Sequence, residues 1–193
     1  MTDGRDEPLA RGTHRGALQV IEDTLEESDL DYAFHEGVDG APSGVVVAIP
    51  GERRLITNTI LTVGTHSVRI EAFVCRRPDE DFEKVYRYLL RRNRRLFGVA
   101  YTLDNLGDIY LVGRIALDSV TPEVVDGILG QVLQAVESDF NMLLELGFHS
   151  SIQKEWDWRV KRGESLKNLK AFEHLIDDDG DDPDDDPGDP GDP

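Results

Sequence analysis

Five arginines fall within nine consecutive positions, Arg87, Arg91, Arg92, Arg94 and Arg95, in the stretch Y-R-Y-L-L-R-R-N-R-R-L at 86–96 of a chain whose formal net charge is -18. Clustered guanidinium groups can do one kind of chemistry well, the recognition of phosphates or carboxylates. Arg91, Arg92, Arg94 and Arg95 are therefore the first candidates for contact with a partner. On a helix the same spacing brings like charges together at Arg87/Arg91, Arg91/Arg94, Arg91/Arg95 and Arg92/Arg95, which costs about 1 kcal/mol in all. Glu80 with Lys84 and Glu83 with Arg87 are favourable pairs, and cations in a last turn gain about 0.3 to 1 kcal/mol from the helix dipole. The balance is near zero, so an ordinary solvated helix face that also meets acids elsewhere in the chain or in a second subunit accounts for the run. A nucleic-acid stripe is the sharper alternative, but it calls for an overall basic domain, and this one is acidic. A third possibility is that the Asp-rich C-terminus folds back over the arginines.

Trp158 is the second candidate. Ile152, Trp156 and Val160 share one helix face, so Trp158 points elsewhere, among Lys154, Arg159, Lys161 and Arg162. Either the loop at 163–172 covers it or it is an aromatic anchor for a partner. Other chemistry is poorly supported. Cys75 lacks an evident histidine partner and reads as a packing thiol. His14, His35, His66, His149 and His174 show no paired ligand spacing, so no metal site is expected. Asp177, Asp179, Gly180 and Asp186 match four positions of a calcium loop, yet Leu175 would stand at the first ligand position and prolines follow. Neither G-x-S-x-G, a P-loop nor G-x-G-x-x-G is present. No catalytic residue and no cofactor is expected, and the chain reads as non-enzymatic.

The elements that must position these residues follow from periodicity. The chain has 193 residues, enough for one domain with a tail. Residues 177–193 hold 10 of the 39 acids and none of the 21 bases, which leaves 29 acids against 21 bases, or -8, for residues 1–176. That segment lacks apolar side chains to offset ordering and should be disordered. Residues 1–13 read as a loose leader without an export signal. The longest charge-free run, Leu55 to Val68, is too short and too polar to cross a membrane, and the single cysteine suits the cytoplasm.

Between these ends the spacing predicts a helix over 14–30, strands at 31–36, 45–49, 55–63 and 68–75, a helix over about 80–96 and strands at 97–103 and 109–117. A long helix then opens at Thr121 and Pro122 and stops near Gly147. Phe82, Val85, Tyr86, Leu89, Leu90 and Leu96 form the expected apolar side of the arginine helix. Ser150 and Gln153 have capping-box spacing for a further helix. Strand runs joined by short loops and separated by helices indicate the α+β class, an antiparallel sheet with helices packed on one face. The expected domain covers 14–148, with a helical extension at 149–176.

The segments V-Y-R-Y-L-L-R-R-N, F-G-V-A-Y-T-L-D-N-L-G-D-I-Y-L-V-G-R and L-L-E-L-G-F resemble the bacterial YbjN-domain family over roughly residues 14–172. The resemblance implies a fold like that of type III secretion chaperones, in the order α-β-β-β-α-β-β-α, with a C-terminal helix added here. It also implies a homodimer that holds a partner polypeptide as a chaperone-like adaptor or regulator, and brings no catalytic residues. The alternative from another class is a nucleic-acid-associated regulator using the Arg87–Arg95 stripe.

Overall fold

Alternation along the strand segments produces a six-stranded sheet in the order β1-β2-β3-β4-β6-β5, with every neighbouring pair antiparallel. The structure, a computed structural model, describes residues 12–35 and 42–176. The Asp-rich segment at 177–193, most of the leader and part of the breaker-rich segment at 38–44 lie outside the described residues. The elements are α1 (His14–Glu27), β1 (Asp31–His35), β2 (Gly44–Pro50), β3 (Ile56–Val63), β4 (Ser67–Cys75), α2 (Phe82–Asn93), β5 (Val99–Leu103), β6 (Ile109–Ala116) and α3 (Pro122–Arg162). Short 3-10 segments occupy Leu117–Ser119 and Lys167–Leu175.

Each helix start uses a polar side chain to satisfy an orphan amide or carries a charge suited to the dipole. Thr13 Oγ1 accepts from Gly16 N at 3.0 Å, and Thr121 Oγ1 accepts from Val124 N at 3.3 Å with Pro122 in the first turn. α2 begins after Asp81, which sits in the left-handed region (φ 49°). The Asp81 carboxylate lies 3.6 Å from Lys84 Nζ, in place of the Glu80–Lys84 pair that spacing suggests.

The sheet is buried on one face. Val45, Val47 and Ile49 of β2, Leu61 and Val63 of β3, Val68, Ile70, Ala72 and Val74 of β4, and Ile109, Leu111 and Ile115 of β6 form that face. Against it come Ala17, Ile21 and Leu25 of α1, Val85 and Leu89 of α2, and Val125, Ile128, Leu129, Val132, Ala135, Val136 and Leu143 of α3. The opposite face carries Ile56, Ile60 and a charged pair, Arg69 Nη2 to Glu71 Oε1 at 2.7 Å, and is half-exposed. This is the α+β architecture, with helices on one side of an antiparallel sheet.

The chain divides into two compact units, Met1–Gly147 and Phe148–Pro193. The expected stop near Gly147 corresponds to one residue with non-helical geometry, Phe148 (φ -142°, ψ 18°), after which helix resumes to Arg162. The Gly147 carbonyl accepts from the amides of Asp79 and Glu80 at 2.8 and 3.3 Å, and a Cβ at Gly147 would lie 2.9 Å from Pro78 Cβ. A side chain there would push α3 away from the loop that feeds α2.

Candidate partner-binding surfaces

The arginine run does not form one uniform face. Helical spacing places Phe82, Tyr86 and Leu90 with Val85 and Leu89 as a single apolar side, but only Val85 and Leu89 of these α2 residues are buried, and Leu90 is 68% exposed. The helix is rotated so that Tyr88 and Arg92 turn inward in their place. The cause lies on α3, where Asp139 occupies a position on the apolar stripe and is 1% exposed. A carboxylate taken out of water needs donors and a counter-charge, and rotation of α2 supplies both.

Tyr88 donates to Asp139 Oδ1 at 2.7 Å, and Tyr101 of β5 donates to Oδ2 at 2.7 Å. Arg92 Nε lies 2.7 Å from Oδ1 and 2.9 Å from Oδ2. The Tyr101 hydroxyl is also 3.2 Å from the Ala135 carbonyl oxygen. Burial, and then the hydrogen bond and charge of Asp139, push the Tyr88 phenol up from its ordinary value. Tyr101 is raised by burial first, then by the charge and hydrogen bond of the same carboxylate. For Arg92, burial works against the charge, but the bond and charge of Asp139 leave it above its usual value. Arg92 is thus a structural cation, and of the expected partner-binding set Arg91, Arg94 and Arg95 remain exposed. Among the described residues their side chains have no ion-pair partner.

Asn93, in the middle of R-R-N-R-R, has a separate task. Its Oδ1 accepts from Tyr101 N at 2.7 Å, and its Nδ2 donates to Tyr101 O at 3.2 Å. β5 is an edge strand, and its ladder to β6 uses Ala100 with Val112 and Thr102 with Tyr110. The outward backbone groups at its centre are therefore taken by a side-chain amide that imitates a neighbouring strand. Such covering is a recognised way to protect a sheet edge.

The other edge is different. Gly51 N donates to Leu55 O and Val63 N donates to Ser43 O, so the odd-numbered residues of β2 face β3 and the even-numbered ones face β1. The hydrogen-bonded pairs between β1 and β2 are then Asp31–Ala48, Ala33–Val46 and His35–Gly44, and the backbone groups of Tyr32 and Phe34 point away from the sheet. Tyr32 and Phe34 stand opposite Val47 and Val45, so their side chains lie on the core face, yet Phe34 is 47% exposed. The two rings meet edge to face with centroids 5.7 Å apart. Tyr32 donates to Glu26 Oε1 at 3.2 Å, which ties the strand to α1. No described strand lies beyond β1.

Cys75 is buried at the end of β4, and burial pushes its thiol up to about 12, with the charge of Arg54 opposing. The thiolate needed for nucleophilic chemistry is therefore disfavoured. Arg54 donates through Nη1 to the Phe73 carbonyl at 2.6 Å and to that of Val74, and its guanidinium lies over the rings of Phe73 and Phe140 at 5.3 and 5.7 Å. Glu137 accepts from the amides of Arg53 and Arg54 at 2.9 and 3.3 Å and fixes the turn between β2 and β3. These contacts position a strand end. Among the described residues there is no group of three His, Cys, Asp or Glu side chains that could hold a metal ion.

In the second unit Trp158 is 42% exposed, with the Arg162 guanidinium 4.6 Å from its ring centroid. Val160, expected on the buried face with Ile152, is exposed instead, and only Ile152 of that trio is buried. The helix end is held by Arg159, whose Nε donates to Glu155 Oε1 at 2.7 Å and Nη1 to the Ser165 carbonyl at 2.8 Å.

Of the residues that shape these surfaces, sequence reasoning missed Asp139, Asn93, Tyr32 and Phe34. Asp139 had a detectable signal, an acid three residues after Val136 and four before Leu143 on an otherwise apolar stripe. Asn93 had none, because its partner is a backbone brought near only by the fold.

A family model, YbjN, described as "Putative bacterial sensory transduction regulator", matches residues 17–145. The uncharacterized protein ML2442 of Mycobacterium leprae (strain TN) is 66% identical over 164 residues, 85% of this chain and 89% of that one. The uncharacterized protein Rv0487 of Mycobacterium tuberculosis (strain ATCC 25618 / H37Rv) is 66% identical over 157 residues, 81% of this chain and 86% of that one. Among solved structures, a chain of the ExsC-ExsE complex is 15% identical with a TM-score of 0.41, covering 69% of this chain and 97% of that one. No described helix is long and apolar enough to cross a membrane.

Proposed function

The chain belongs to the YbjN family, and we propose that it is a non-enzymatic protein-binding module, a chaperone-like adaptor or regulator that holds a partner polypeptide. The observation that carries this reading is the contrast between the two sheet edges. β5 is closed by Asn93, whereas β1 offers the outward N–H and C=O groups of Tyr32 and Phe34 beside two partly exposed rings. An extended partner segment gains main-chain hydrogen bonds at such an edge, and alternate side chains fill the adjoining apolar surface. The working unit in this proposal is a homodimer in the cytoplasm, where a lone, buried Cys75 stays reduced. Nucleic acid has less support, since Arg92 is committed to Asp139 and the chain is strongly acidic.

Phe34→Pro tests the reading, because it deletes one outward N–H while the inward pairs at Ala33 and His35 stay available. A partner recovered on tagged chain from the native cell should bind this variant at least tenfold more weakly, and partner binding should protect the Tyr32 and Phe34 amides from hydrogen exchange. Unchanged affinity with unprotected β1 amides would refute it. Light scattering with the absorbance ratio of purified protein checks the dimer and separates it from a nucleic-acid complex.

A further inference from the structure

The outward side of α2 presents a second surface. Phe82, Tyr86, Leu90 and Arg94 follow one another at four-residue steps and form a single row along the helix. The Phe82 and Tyr86 rings are 6.2 Å apart, and Arg77 lies 5.1 Å over Phe82. Leu90 is largely exposed, with Arg87 three residues before it and Arg94 four after. The acids at the start of the helix are engaged locally: Asp79 pairs with Arg76, Asp81 with Lys84 and Glu83 with Arg87. Arg91, Arg94 and Arg95 have no side-chain ion pair among the described residues, so Arg94 continues the apolar row beyond Leu90 and the cations border that end of it along one side.

We propose that this face of α2 docks an acidic segment of another protein whose carboxylates are interspersed with apolar side chains, an inference that rests on reading the chain as a protein-binding module. Carboxylates of the segment meet Arg91, Arg94 and Arg95, and its apolar groups cover Leu90 and Tyr86. Other occupants fit less well. A second copy meeting this face with the same face would set these arginines against their own like, with Asp79, Asp81 and Glu83 at the start of each helix already paired. A polynucleotide has phosphates for the arginines, but its backbone offers nothing to the aliphatic Leu90. Residues 177–193 of this chain have ten acids and no apolar side chain to fill the row. The net charge of -18 repels an acidic segment at long range, but screening over about 10 Å at 0.1 M salt leaves the local arginines in control of the final contact.

Fluorescence anisotropy on the full chain tests this, with a labelled peptide of about 16 residues in which leucine interrupts glutamate at every fourth position. Saturable binding below about 1 mM is expected. It should weaken at least tenfold in the combined variant Arg91→Gln, Arg94→Gln, Arg95→Gln and severalfold in Leu90→Ser. Phe34→Pro, which probes the β1 edge, should leave it unchanged, so the two surfaces fail separately. The proposal is overturned by an absence of saturable binding, by equal binding to the variants, or by equal binding of an all-glutamate peptide. Tighter binding of a single-stranded oligonucleotide than of the peptide overturns it too, as does a light-scattering dimer that Leu90→Ser dissociates.

Discussion

Arg92 Nε sits between the two carboxylate oxygens of Asp139, 2.7 Å from one and 2.9 Å from the other, and so joins the arginine-rich helix to the long helix beneath it. Tyr88 and Tyr101 complete the shell around the same carboxylate. Asp139→Ala strands a partly buried guanidinium and two phenols, and should cost about 3 to 5 kcal/mol, the range for breaking a buried pair by removing one partner. Arg91→Gln, one residue away but exposed, should change stability by less than about 0.5 kcal/mol. Urea denaturation of both variants checks the contrast, and equal small effects would show that the carboxylate is not structurally committed.

The same shell sets a response to alkali. Burial and Asp139 raise Tyr88 and Tyr101 above the ordinary phenol value near 10 in the folded chain only. A group raised on folding contributes stability that is fully present below its unfolded value and is lost as the pH climbs toward its folded value. Stability should therefore be flat with respect to these groups below about pH 9 and fall above pH 10. Absorbance at the phenolate band, followed with circular dichroism, should show part of the tyrosine complement ionising only together with unfolding. Complete ionisation of all tyrosines in a still-folded chain would contradict it.

Asn93→Ala removes both bonds to the Tyr101 backbone and uncovers the centre of β5. The expected loss is about 1 to 3 kcal/mol, the cost of leaving strand groups unsatisfied where water does not fully replace the amide. Faster exchange of the Tyr101 amide and concentration-dependent association should accompany it. Asn93→Asp is a useful companion, since it keeps the acceptor for Tyr101 N but loses the donor to Tyr101 O. An Asn93→Ala chain as monodisperse and as protected at Tyr101 as the parent would disprove the edge-covering role.

Thr57 and Thr59 bury their hydroxyls on the core face of β3, and neither hydroxyl has a hydrogen-bond partner among the described residues. Replacing an unsatisfied hydroxyl by a methyl group of similar shape removes a desolvation penalty. Thr59→Val should stabilise the chain by about 1 kcal/mol, and thermal unfolding should register it as a rise of a few degrees. A drop in melting temperature would mean that the hydroxyl is satisfied after all.

The residues allowed much of the architecture to be read. Period-two alternation from Leu55 to Val63 and from Val68 to Val74 marked the central strands, and Thr121-Pro122 marked the start of α3 to the residue. Helical spacing failed on the face of α2 because the apolar count of Phe82, Tyr86 and Leu90 outweighed what one buried acid on another helix demands. The arginine run was legible as a helix end carrying cations, but its division between Arg92 inside and Arg91, Arg94 and Arg95 outside depends on Asp139, 47 residues away in sequence from Arg92. Edge protection by Asn93 was likewise invisible, because which strand ends a sheet is decided by topology and not by local pattern.

Among the described residues the sheet has one covered margin and one bare margin, and such a sheet has a limit on how it can grow. Head-to-tail stacking into a filament needs two complementary bare margins on every copy, and Asn93 takes one of them away. Any joining through β1 is therefore terminal, ending with whichever single strand arrives first, whether from a twin molecule or from a client. Through sheet edges alone, an open β1 margin would thus take up one added strand and leave no second margin for the next.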